Sequence, residues 1–340
     1  MTVGNAPHQS DLHSAPKVSI CVEFDNFQYI KTSSTSSLFA SLSREIASLA
    51  SEYAFEIVIA VDPSCYSVSE SGVLGALQSV CLGAAEHRIL QVSGGYYEQK
   101  MRAAESASGN VLVFIDCDVV PDRGWLKNLL SPLEDESVLL VCGRTYVLPS
   151  GVFAKLCSDV WLFDRYDEGF SGETISRVSA FHANNFAVRR ATFARFCFPV
   201  FESFRGQCRA AAYDMEKAGI AMWRASTASV AHPAPDGVSD YFVRAFRRGS
   251  DLIAIARYRG VTGIDLIRHI SGGIERSLWQ PLARLRTTLK SRRTGTIGHI
   301  GACGLLFCSV VMYGLGCAWS YARNWRAFTQ SYRRKSGVPS

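Results

Sequence analysis

The chain has 340 residues, 48% hydrophobic and 19% charged, enough apolar material for one large domain or two small ones and too much for wholesale disorder. Its net charge of +6 is uneven: much of the surplus follows Arg244, in RAFRRG, RLRTTLKSRR and SYRRK, which points the C-terminal part toward an anionic partner, either a membrane surface or phosphate groups. The 11 cysteines include no C-x-x-C pair and several sit in apolar runs (Cys21, Cys142, Cys308), so they read as reduced and buried, not as a disulfide framework or a zinc site.

Residues 1–17 lack the apolar core of a signal peptide and are expected to form a flexible leader. KVSICVEF then gives a buried strand, Val18 to Phe24. SLFASLSREIASLASEY follows as a helix, with Leu38, Leu42, Ile46 and Leu49 on one face. FEIVIAVD is a second strand ending at Asp62, GVLGALQSVCLGA a helix, and RILQVSG a third strand closed by Gly94 and Gly95. YEQKMRAAESASGN is a helix stopped at Gly109, and VLVFIDCD is the fourth strand. Strand and helix alternating in this way specify an α/β fold, a parallel sheet with helices on both faces, whose strands are nearly pure Val, Ile and Leu because both sides are covered.

Ligands of open parallel sheets bind beyond the carboxyl ends of the strands, where Asp62, the Gly94–Gly95 turn, Asp116 and Asp118 all fall. Two carboxylates one residue apart repel each other unless a cation sits between them. A hard divalent ion, Mg²⁺ or Mn²⁺, needs only one or two carboxylates and fills its shell with water and phosphate oxygens. The alternative is that Asp116 and Asp118 cap the loop to a helix beginning near Arg123.

From about Val18 to Gly249 the chain resembles a family 2 glycosyltransferase with the GT-A fold, the nucleotide-sugar-binding α/β sandwich. VLVFIDCDVVPDRGWL matches the DxD motif and its downstream Pro and Trp. The resemblance implies that Asp116 faces the sugar or ribose and that Asp118 holds the metal bridging the diphosphate. EIVIAVDPS implies that Asp62 contacts the nucleotide base, and QKMRAAESASGN places Lys100 near the diphosphate. Glu23 and Phe24 stand where the family has Pro-Thr, and Gly95 completes the donor-side turn. LLVCGRTY, with Gly143 and Arg144, resembles the next strand. In FHANNFAVRRATF the side chains of His182, Asn184 and Asn185 are candidates to contact a sugar acceptor; the alternative is that the two Asn serve a turn, while Arg189 and Arg190 read as structural.

Gly206 and Gly219 keep the spacing of the family's Gly-Glu-Asp segment, but the acidic pair, one member of which is the general base of inverting enzymes, has become Gln207 and Cys208. Glu202 is the first substitute and Asp214 the second. His232 is expected to complete the metal shell or meet the diphosphate, against a loop histidine of no special role. Arg247 and Arg248, in YFVRAFRRGS, are placed to neutralise phosphate charge, against a solvated basic face. The absence of Gln-x-x-Arg-Trp argues against a polymer synthase.

Residues 251–293 mix Leu and Trp with Arg, suiting helices that lie in a headgroup layer. Residues 294–322 contain no Asp, Glu, Lys or Arg, are long enough to cross a bilayer, and carry Tyr313, Trp319 and Tyr321 toward one end. Arg292, Arg293, Arg323 and Arg326 flank both sides, so charge does not decide between a span and a re-entrant helix; a buried core helix or hairpin competes. Residues 323–340 form a basic tail. The sum is a transferase at the cytoplasmic face of the cell membrane. It moves a sugar from a nucleoside diphosphate to a hydroxyl of a glycan or lipid-linked acceptor, with Mg²⁺ or Mn²⁺ and no nucleic acid partner. Two rivals are a degenerate transferase serving as a membrane scaffold, and a nucleotidyltransferase, for which EFDNFQYIK offers no Gly-rich basic loop.

Overall fold

The computed structural model describes residues 17–25, 32–63, 85–160, 163–165, 174–290 and 296–323. The leader to residue 16, the helix expected over GVLGALQSVCLGA and the tail beyond residue 323 lie outside the described residues. In chain order the elements are β1 (Lys17–Glu23), α1 (Thr32–Leu49), β2 (Ala54–Val61), β3 (Ala85–Gln91), α2 (Tyr96–Ser106), β4 (Val111–Asp116), β5 (Val120–Pro121), α3 (Trp125–Leu130), β6 (Leu140–Val147), α4 (Val152–Val160), β7 (Asp164–Arg165), β8 (Ile175–Val178), β9 (Asn185–Arg189), α5 (Arg190–Arg195), α6 (Gln207–Lys217), β10 (Met222–His232), α7 (Gly237–Tyr258), α8 (Gly263–Lys290) and α9 (Thr296–Arg323).

One mixed sheet runs in the order β3-β2-β1-β4-β9-β6-β10-β5, with β7 and β8 beside β6 and β10. The first four strands are parallel, as their apolar runs foretell, but β9 enters antiparallel between β4 and β6. Alternation along β1 sends Ile20 and Val22 to one face, with Leu38, Leu42, Ile46 and Trp125, and Cys21 to the other, with Phe114, Phe186 and Phe198. β3 starts at Ala85, three residues before the stretch expected, and its Glu86, His87 and Arg88 are exposed because it is the edge strand. Cys21, Cys117, Cys142, Cys157, Cys208 and Cys317 are buried free thiols, as expected for Cys21 and Cys142, but Cys308, expected to be buried in its apolar run, is exposed on α9.

The C-terminal helices are built onto this sandwich. α7 runs through residue 250, the expected end of the catalytic unit, so catalytic and helical regions share one element. α9 lies along it at a glycine contact. A Cβ on Gly316 would fall 1.9 Å from the Phe246 carbonyl oxygen, and one on Gly249 would fall 2.0 Å from that of Tyr313. Ser250 Oγ donates to the Gly316 carbonyl at 3.2 Å across the same crossing. α9 is long and apolar enough to cross a membrane, and one side of it is docked on protein.

Candidate active site

The site begins where β1 and β4 end side by side, with Glu23 opposite Asp116 in register. α2 supplies the positive charge: Lys100, wholly buried, places Nζ 2.7 Å from Asp116 Oδ1. Tyr96 Oη donates to both Asp116 oxygens at 2.9 and 3.0 Å. Burial, and then the neighbouring Asp116, push the Glu23 carboxyl well above the usual carboxylate range, against the opposing Lys100 and Arg205 charges. Its Oε2 accepts from the Asp25 amide at 2.7 Å. The Arg205 guanidinium stacks 3.6 Å from the centre of the Tyr96 ring and pairs with Asp25 at 3.1 Å. Asp62 Oδ2 accepts from the Gly94 amide at 2.9 Å, fixing a turn whose φ of 144° suits glycine. Gln99 ties that turn to β1, donating to the Gly94 carbonyl and accepting from the Phe24 amide.

Asp118 lies one turn beyond β4 in a different setting. The short β5 pairs with the end of β10, and this pairing brings His232 beside Asp118. His232 Nε2 is 3.6 Å from Asp118 Oδ2. The 2.6 Å contact between His232 Nδ1 and the Pro233 carbonyl is satisfied when Nδ1 carries the proton, which leaves the Nε2 lone pair toward Asp118. Asp118 Oδ1 is buried with no hydrogen-bond partner among the described residues. Burial raises its carboxyl pKa, His232 opposes that, and Asp116 adds to it. A carboxylate with one oxygen unpartnered and the other near an imidazole nitrogen is a donor set that fits a hard divalent cation, provided phosphates and water complete the shell. No cluster of three or more His, Cys, Asp or Glu ligands exists among the described residues. Asp116 is held by Lys100 and Tyr96.

Of these groups Asp25, Tyr96, Asp118, Arg205 and His232 line a cleft of about 2070 Å³, together with Arg244 and Arg247, whereas Glu23, Asp62, Lys100 and Asp116 lie behind its lining. Gly95, at the start of α2, has open space where a Cβ would stand. Arg247 reaches the cleft 4.7 Å over the Phe204 ring, whereas Arg248 turns toward Tyr313.

Other expected site residues stand elsewhere. Asn185 is buried with every valence used: Oδ1 accepts from Trp125 Nε1 at 2.8 Å, and Nδ2 donates to the Arg144 and Ala228 carbonyls. It is a staple between strands, and Gly143 is glycine because a Cβ there would meet that same side chain and the Ala228 carbonyl. Asn184 is buried and bonded to Thr145; His182 is exposed and edge-on to Phe163. Glu202, 82% exposed, pairs with Arg323 of α9 at 3.0 Å, outside the cleft. Asp214 accepts from Tyr258 Oη and lines neither of the two large cavities. Neither carboxylate is set at the acid cluster to replace the missing pair. Gln207 accepts from Ser203 Oγ and donates to the Phe201 carbonyl, and burial pushes the Cys208 thiol up, away from thiolate. The sequence reading missed Arg205, Tyr96 and Gln99. Their only signal was position, one residue before Gly206 and just after the Gly94–Gly95 turn.

A mixed sheet flanked by helices, with Asp116, Asp118, His232 and basic residues toward its carboxyl edge, is GT-A-like. Residues 39–195 match the family described as Glycosyl transferase family 2, which supports a glycosyltransferase. Among solved structures it is similar to the mannosyltransferase PcManGT from Pyrobaculum calidifontis in complex with GDP-Man and Mn²⁺, at 14% identity and TM-score 0.57, over 90% of this chain and 88% of that one. GalNAc-T7 with UDP, GalNAc and Mn²⁺ matches at 16% identity and TM-score 0.47, over 66% of this chain and 45% of that one. At such identities the likeness is one of fold. No curated protein sequence matches the chain.

Proposed function

We propose that this enzyme transfers a sugar, with inversion, from a nucleoside diphosphate donor to an acceptor oxygen of a glycan or lipid-linked molecule, at the cytoplasmic face of the cell membrane. The donor lies across the carboxyl edge, with its base toward Asp62, its ribose or sugar toward Asp116 and its diphosphate toward Asp118, His232 and Arg247. The observation that carries this reading is the buried Asp118 carboxylate, whose Oδ2 lies 3.6 Å from His232 Nε2 and whose Oδ1 has no hydrogen-bond partner among the described residues. Asp118 and His232 would hold Mg²⁺ or Mn²⁺, which when bound offsets the charge of the departing diphosphate. Arg247 adds a charge-assisted donor from the cleft rim. Lys100 and Tyr96 hold Asp116 in one orientation. The two solved structures quoted above hold a nucleotide or nucleotide sugar with Mn²⁺, which supports the same ligand class here.

The test is thermal unfolding with UDP or GDP, with and without Mn²⁺, alongside donor hydrolysis. A metal-dependent rise in melting temperature and metal-dependent turnover are expected. No shift with any nucleoside diphosphate overturns the reading. Binding without turnover favours the scaffold alternative, whose support is the Gln207–Cys208 pair.

A further inference from the structure

A second cavity, about 840 Å³, lies between α7 and α9 beneath the loop 201–204. It is continuous with the cleft, for Phe201, Ser203, Phe204, Val243 and Arg247 line both. Its lining includes the apolar Phe246 from α7 and Met312 and Trp319 from α9, with Arg257, Arg323 and Glu202 among its charged members. Trp319 is also the last member of an exposed stripe on α9, after Ile300, Phe307, Val311 and Leu315. That spacing puts all five on one side of the helix, opposite the buried Leu306, Tyr313 and Cys317. A helix docked on protein along one side and apolar along the other suits the surface of a bilayer, and the cavity opens where the stripe ends.

The charge of the cavity is selective. Arg247 is exposed and has no carboxylate partner among the described residues. Arg323 has only Glu202, in an exposed pair that a stronger anion displaces at little cost. The cavity's deep acid, Asp251, is already committed: its oxygens accept from the Phe204 and Arg205 amides at 2.6 and 2.8 Å. The chemistry near the cleft adds a second line of argument. A hydroxyl acceptor needs a base; Gln207 carries no titratable group, burial pushes the Cys208 thiol up, and Glu202, which lines this cavity, is paired with Arg323. A phosphate monoester is already ionised near neutral pH and needs none.

We infer that the α7–α9 cavity seats the acceptor, and that the acceptor is a phosphate monoester on a hydrocarbon chain, its head at Arg247 and Arg323 and its tail running past Phe246, Met312 and Trp319 into the membrane. The inference rests on the transferase reading. In the reaction a phosphate oxygen lone pair forms the bond to the anomeric carbon. The carbon–oxygen bond to the donor diphosphate breaks, and its electron pair leaves on the nucleoside diphosphate. No proton moves.

The test measures binding of dodecyl phosphate to the full chain in phosphatidylcholine nanodiscs, against inorganic phosphate and dodecanol, with the Mn²⁺-dependent nucleoside diphosphate shift recorded on the same wild-type sample. Dodecyl phosphate is expected to bind about ten times tighter than either control, and Ala254→Trp, which fills the cavity from α7, to weaken it by about tenfold or more. Arg323→Gln and Trp319→Ala, in the lining, are expected to weaken it by about fivefold each, and they decide the matter if Ala254→Trp does not fold. Equal binding of inorganic phosphate makes the site one for free anions and overturns the inference. So does equal binding of dodecanol, which is partition onto the stripe, and so does binding unchanged in the variants. Nucleotide binding without dodecyl phosphate binding overturns the cavity assignment alone. Dodecyl phosphate binding without nucleotide binding overturns the transferase reading and leaves the cavity an amphiphile site.

Discussion

The two ends of the sheet bury acids in opposite ways. At the amino end, Glu56 of β2 is enclosed by partners: Ser19 Oγ at 2.5 Å, the Ser108 amide and hydroxyl, the Gly109 amide and Arg88 Nη2 at 2.5 Å. Burial opposes ionisation there, but the Ser19 and Ser108 hydrogen bonds and Arg88 outweigh it and hold the carboxyl at about 2. At the carboxyl end, Glu23 and Asp118 are as deeply buried but pushed upward, and Asp118 keeps an oxygen with no partner. An acid whose environment favours its charge stabilises the fold; one left short of partners is held in readiness for a ligand.

The sharpest way to break this comparison is Asp118→Asn. Turnover is expected to fall about 10²–10³-fold, the scale of losing one preorganised electrostatic group, and the Mn²⁺-dependent thermal shift to vanish. The melting temperature of the ligand-free protein should hold or rise, because a poorly solvated charge has gone. A variant that loses stability instead would make Asp118 structural, like Glu56.

Glu56→Gln is the converse and the next largest effect, a loss of about 3 kcal/mol in stability with turnover of the folded fraction retained. The wild type should show the matching pH dependence. The folded pKa is lowered to about 2 from 4.5, so the stabilisation is present above 4.5 and is lost as pH falls from there toward 2. Denaturant melts across that window should slope in the wild type and flatten in Glu56→Gln.

Gly316→Ala follows, at about 2 kcal/mol, because a methyl aimed at the Phe246 carbonyl forces α9 away from α7. It should also disorder the cavity between them, which hydrogen exchange in α9 would report.

The contrast between the two ends explains what the sequence disclosed. β1, β2 and β4 were legible because strands covered on both faces are written as unbroken apolar runs. The antiparallel entry of β9 was not, since NFAVR reads the same in either direction. Asp118 and His232 were legible through the family likeness. Asn185 was misplaced because sequence cannot tell an asparagine that faces a ligand from one whose valences are used by Trp125 and two carbonyls. Glu202 was misplaced because nearness along the chain to Gly206 says nothing of direction, and its loop turns to α9. Lys100 was found, but its commitment to Asp116 required α2 to be laid across β4.

The smallest expected effect tests the acid the sequence ranked second. Asp214 sits half-buried on α6 and accepts one hydrogen bond from Tyr258, outside both cavities. Asp214→Asn keeps an oxygen for that hydroxyl, so turnover should change by less than about twofold and stability by less than about 0.5 kcal/mol. A hundredfold loss of turnover at constant melting temperature would instead place a general base on α6. The acceptor would then need to give up a proton, and a hydroxyl would replace the phosphate as the nucleophile. Asp214 would then be a third kind of acid: half-buried, partnered and nonetheless catalytic. A flat result leaves the cleft with Asp118 as its one under-partnered buried carboxylate among the described residues, and with chemistry that depends on what the acceptor itself carries.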